Sequence, residues 1–214
     1  MKTWAAFKYE IGRIVNDPQL TKFPDDMLAC VNDALRMLAS AHTGVASVYT
    51  IVGDGATASF PIPNNAVSSS DISRIRGVYD ETNEVWLKEA DMYPGSKAKE
   101  GWLVWPDGTL RLKPVPDSGD ELTVHYVAYY DEVVNDASTI NIPGWSFEAV
   151  KLYTAGRVIQ SPTSQLTLLA NFRTKVDSGN PEHNPLLQLS KYYIQQFWDI
   201  LNANYAPQLD RLVV

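Results

Sequence analysis

The sequence has almost no cysteine and no long apolar run, and its largest block of charge is not basic. Cys30 is the single cysteine among 214 residues. An internal disulfide framework and a cysteine-built zinc site are therefore excluded, and a chain made in reducing cytoplasm is expected. In MLACVNDAL, Cys30 reads as a buried small hydrophobe. No apolar stretch reaches about 18 residues, so no membrane span is predicted, and MKTWAAFKYEIGR is too evenly charged to be a signal peptide. Net charge is −7, and residues 45–140 hold 7 Lys+Arg against 15 Asp+Glu. Such a segment cannot grip nucleic acid by counterion release, although it suits a wall past which DNA slides.

Catalytic and cofactor motifs are equally scarce. The stretch VGDGATASFPIP has two glycines but lacks the four-residue spacing and the Lys-Ser/Thr of a phosphate loop, and no third glycine or helix follows. Gly53, Asp54 and Gly55 are read instead as a hairpin tip. His42, His125 and His183 fall in three different elements without metal or triad spacing, and no GxSxG is present. Asp25 and Asp26 suit a helix N-terminus, Asp120 and Glu121 a Ser-Gly turn, and Asp131 and Glu132 a strand end. PDSGDE, with Asp117, Asp120 and Glu121, does not match an EF-hand. No catalytic residue, cofactor or metal site is predicted, and an enzyme is not expected.

What is present is a change of period, twice. From Thr3 to Asn16, Trp4, Phe7, Ile11, Ile14 and Val15 recur at helical steps until Asp17-Pro18, and Met27, Leu28, Val31, Leu35 and Leu38 form a second stripe that Gly44 closes as a left-handed cap. From Ala46 the period falls toward two, with candidate strands 48–52, 57–62, 72–79, 84–87, 102–105, 109–113 and 122–130, the last predicted to be covered on both faces. GWLVWPDGTLRLKPVP is the clearest hairpin. After INIPGW, Phe147, Val150, Leu152, Tyr153, Val158 and Ile159 restore the helical period. A further helix through Leu166, Leu169, Phe172 and Val176 and a last one over 185–204 follow, separated by the polar loop 177–185.

The fold class expected is α+β. Helices in 1–44 and 141–205 form one discontinuous bundle, since neither set buries its stripe alone; 45–140 is an inserted acidic β module, a small barrel or sandwich; 206–214 is an extended tail. On the last helix Tyr192, Tyr193, Phe197 and Trp198 offer more aromatic surface than one core face needs, which marks them as candidate partner contacts.

GDGxTxxFPxP at 53–63, LRLKPVPDSGDELTVHYVAYYDEVV at 110–134 and IxIPxW leading into a helix at 140–159, taken in this order after a helical pair, resemble the head-to-tail adaptor (connector) proteins of tailed phages. The resemblance spans roughly residues 24–160. It implies a structural protein of the virion neck that forms a homo-oligomeric ring, typically of twelve copies, below the portal protein. Such a ring contacts tail, nozzle or fibre proteins and leaves a channel through which genomic DNA passes without specific binding. It further implies a portal-docking tail, here Tyr205, Pro207, Leu209, Arg211, Leu212, Val213 and Val214. A β module of about 95 residues is large for such adaptors, which suggests docking of tail components. The alternatives are an attachment or receptor-binding module of a tail fibre or baseplate, where GDGxTxxFPxP also occurs, and a glycan hydrolase suggested only by acids in a β module.

Overall fold

The computed structural model describes residues 1–69, 72–73, 75–90, 101–105, 107–161 and 185–209. The chain divides into two compact units, Met1–His42 with Tyr130–Val214, and Thr43–Tyr129.

The first unit is helical: α1 (Trp4–Ile14), α2 (Pro24–Leu38), α3 (Ser146–Gln160) and α4 (Pro185–Leu209). The apolar steps of α1 and α2 face one core, in which Phe7, Ile11, Met27, Val31 and Leu38 are fully buried. Helix α3 packs against the other three helices. It is accordingly buried around most of its surface, through Ala149, Val150, Tyr153, Thr154, Ala155, Gly156, Val158 and Ile159. Its small residues admit close neighbours: a Cβ on Gly156 would stand 3.0 Å from Ile194 Cγ1 and 3.1 Å from the Ser190 carbonyl oxygen. The buried Ser190 hydroxyl donates to the Gly156 carbonyl at 2.9 Å, so the α3–α4 crossing is both tight and hydrogen-bonded.

Asp17-Pro18 does more than stop α1. Asp17 is buried, and its carboxylate accepts the backbone N–H groups of Thr21 (3.2 Å), Lys22 (2.9 Å) and Phe23 (3.3 Å), supplying partners to a loop that has no ladder of its own. Nor does Gly44 end α2 as a left-handed cap: the helix passes into a π-helical turn, Ala39–Thr43. Gly44 is required for close approach, since a Cβ there would lie 2.4 Å from Val127 Cγ1.

A two-residue strand β1 (Lys2–Thr3) pairs with β11 (Thr139–Ile140), a contact too short to leave a period in the sequence. With Val133 and Ile140 in the helical core and Asn32 exchanging hydrogen bonds with the Val133 backbone, residues 130–140 belong with the helices rather than with the β module. The last helix also runs past Asn204 to Leu209, so 206–209 are helical rather than extended. Residues 162–184, with the helix expected at 166–176, the loop 177–184 and His183, lie outside the described residues, as do 210–214 and Pro106.

The second unit is antiparallel. A four-stranded sheet has the order β2 (Val45–Val52), β10 (Glu121–Ala128), β6 (Ile75–Asp80), β7 (Val85–Leu87), and a three-stranded sheet the order β3 (Ser59–Pro61), β9 (Thr109–Lys113), β8 (Gly101–Val104). Short β4 (Ser68–Ser69) and β5 (Ile72–Ser73) pair with each other. Alternate residues from both larger sheets, Ile51, Val78, Leu122 and Val124 from one and Trp102, Leu110 and Leu112 from the other, bury into one shared core, as in a sandwich. Among the described residues the strands make open sheets, not a closed barrel. The β8–β9 hairpin closes through Trp105 N–H to the Thr109 carbonyl (2.8 Å), with Gly108 at φ +79°.

Candidate docking surfaces

The Gly53–Gly55 loop, which lacks a phosphate-loop motif, is filled from within. Asp54 Oδ1 accepts the backbone N–H groups of Ala56 (2.8 Å) and Thr57 (2.6 Å), and Oδ2 accepts the Thr57 hydroxyl (2.6 Å). These hydrogen bonds, the Thr57 hydroxyl first, hold the Asp54 carboxyl down at about 2. A carboxylate thus occupies the amides that a phosphate would need. The loop is also not a hairpin tip, because β2 before it joins the four-stranded sheet and β3 after it joins the three-stranded one. Gly53, Asp54 and Gly55 form a corner between sheets, laid against the PDSGDE turn: Gly53 N–H donates to the Asp120 carbonyl (2.8 Å), Gly119 N–H to that of Gly53 (3.0 Å) and Gly55 N–H to that of Pro116 (3.1 Å). A Cβ on Gly53 would fall 2.1 Å from the Asp117 carbonyl oxygen, so only glycine fits.

Three of the remaining carboxylates have structural partners. Asp120 accepts the Asp117 N–H at 2.9 Å, Glu132 pairs with Arg36, and Asp26 accepts the Ser161 hydroxyl at 2.8 Å. Cys30 is half-buried against the helical core, and burial pushes its thiol up to about 11, away from nucleophilic thiolate chemistry. Among the described residues no group of three or more His, Cys, Asp or Glu is arranged to hold a metal ion.

The four aromatics of α4 separate. Phe197 is fully buried, its ring 4.8 Å from that of Tyr153 and 5.1 Å from that of Trp198, which removes it from the partner-facing set. Tyr193 and Trp198 are half-buried against the same core, and Tyr192 stands out at 57% exposure. A helix laid across α3 spends its aromatic surface there, a neighbour that the stripe alone does not reveal. Of the expected docking tail, Tyr205, Pro207 and Leu209 stand on the last turns of α4, and Arg211, Leu212, Val213 and Val214 lie outside the described residues.

Sequence reasoning passed over a second exposed aromatic surface. The outer face of the four-stranded sheet carries Val48, His125 and Gly77 in one row and Thr50, Thr123, Tyr79 and Trp86 in the next. Trp86 is 56% exposed; its ring lies 5.1 Å from that of Tyr79 and 5.0 Å from that of His125, and it covers Gly77, where a Cβ would stand 2.9 Å from the indole. Strand β10, expected to be covered on both faces, is fully covered only near Val127 and Ala128, while Thr123 and His125 remain half-buried. The isolated Gly77 in a strand was the available signal, since such a glycine marks close approach by another group.

The family model for SU10 adaptor protein matches residues 2–181. The chain belongs to the SU10 adaptor protein family. No match is found among curated proteins. Membership supports the coarse reading of a phage adaptor that works among other phage structural proteins, and both units fall largely within the matched span. No helix among the described residues of this SU10-family adaptor is long and apolar enough to cross a membrane.

Proposed function

We propose that this protein is the head-to-tail adaptor of a tailed phage, a non-enzymatic virion protein that assembles as a ring below the portal. In this reading the ring joins head to tail and leaves a channel for genome packaging and ejection. The family match over residues 2–181 carries the proposal. The α4 surface around Tyr192 and the end of the chain from Tyr205 onward are the proposed portal and neighbour contacts, and the β module is the proposed platform for tail, nozzle or fibre proteins. Its charge fits passage of DNA: residues 43–129 hold 7 Lys+Arg against 12 Asp+Glu, so phosphates are repelled rather than held.

Native mass spectrometry of the protein mixed with portal, together with electron microscopy of purified virions, tests this. A closed ring bound to portal and density for the chain in the neck are expected. Persistent monomer without portal binding, and absence from virions, would overturn it.

A further inference from the structure

We propose that the outer face of the four-stranded sheet, centred on Trp86, binds an arginine-bearing extended segment of a partner protein. The proposal does not depend on ring assembly. Its first ground is the shape of the platform. Trp86, Tyr79 and His125 form a contiguous aromatic surface in which the indole covers Gly77 on one side and is more than half exposed. Its second ground is charge. The Glu81 carboxylate accepts the Thr123 hydroxyl at 2.8 Å, which places it on this same face beside Tyr79, the register partner of both Thr123 and Trp86. Glu121 shares the row end, and Glu84 and Lys88 flank Trp86 two residues to either side. In a module with a net charge of −5, the Glu81 carboxylate on the same sheet face as an open indole favours a cation above the ring.

The third ground is a filled example in the same unit. On the three-stranded sheet the Arg111 guanidinium lies 4.1 Å from the Trp105 ring centre, with Asp107 as its carboxylate partner at 3.2 Å. The face of Trp86 carries an open indole and the Glu81 carboxylate, yet among the described residues no Lys or Arg lies over the ring. A planar guanidinium, which both stacks and bonds to carboxylate, completes the set better than an ammonium does.

The test is indole N–H NMR of the full chain titrated with the peptide acetyl-Thr-Arg-Thr-Arg-Thr-amide. A matched peptide with citrulline for arginine, and maltotriose, serve as controls. The Trp86 signal is expected to move with the arginine peptide, more at low salt, with the citrulline peptide about fivefold weaker or worse. Trp86→Ala should abolish the interaction, Trp86→Phe should retain most of it and Glu81→Gln should weaken it, all with the other five indole signals in place. Equal binding of the citrulline peptide, unchanged binding by Trp86→Ala, a Trp86 response to maltotriose alone, or a response to protein concentration alone each overturns the proposal. The last two outcomes point to a glycan or to a second copy of the chain.

Discussion

The helical unit and the β module solve the same burial problem with different resources. The helices bury long side chains from four elements in one cluster, with Phe7, Phe23, Phe197, Ile11, Met27 and Leu38 completely enclosed. The module buries a much smaller set between two thin sheets and leaves Val48, Val52, Val85 and Trp86 at its surface. Since stability follows apolar area removed from water, the helical unit is the firmer of the two, and the module keeps apolar surface for other uses. Asp17 and Ser190 serve the helical interior, whereas in the module Asp54 and Asp107 shape exposed turns and the buried Asp80 caps the turn at Asn83.

Removing a fully buried aromatic of α4 breaks the comparison most directly. Phe197→Ala is expected to cost about 3–5 kcal/mol through lost burial and a cavity, measured by denaturant unfolding followed by far-UV circular dichroism. A change below about 1 kcal/mol would show that α4 does not depend on that contact. Next is Gly53→Ala, whose methyl collides with the Asp117 carbonyl and should cost about 3 kcal/mol by forcing the two turns apart. Hydrogen exchange should then speed up in β2 and β3 and not in α1–α3. Asp17→Ala leaves three loop amides without their acceptor and should cost about 2 kcal/mol in the helical unit, while Asp17→Asn recovers part of that.

Acid sharpens the contrast without mutation. The Asp54 carboxyl sits at about 2 in the folded chain against an ordinary 3.8, so its contribution is fully present above pH 3.8 and is lost as pH falls through about 2. In the folded chain the amide signals of Ala56 and Thr57 are expected to move with a midpoint near pH 2, and Asp54→Asn should remove that titration while leaving the helical unit unchanged. The smallest stability effect is expected from Trp86→Ala, within about 0.5 kcal/mol, because the ring is more than half exposed. A larger loss would make Trp86 a structural cover for Gly77.

Local physics wrote several features plainly into the sequence. The stripes of α1 and α2, the alternation of Leu122, Val124 and Tyr126 and the turn chemistry of Asp107-Gly108 each arise from residues only a few positions apart, so period and turn type alone decide them. The acid balance of the middle segment is likewise a property of composition. What the tertiary structure decided is which surfaces meet. VGDGATASFPIP carries hairpin chemistry, yet β10 and β9 claim the strands on either side of it and turn it into a corner. Phe197 and Tyr192 look alike along α4, and only the position of α3 sends one inward and leaves the other in solvent. Lys2–Thr3 has no period to read until Thr139–Ile140 lies beside it. Contacts between residues far apart in the chain depend on packing free energy summed over the whole unit, which no window of neighbouring residues contains.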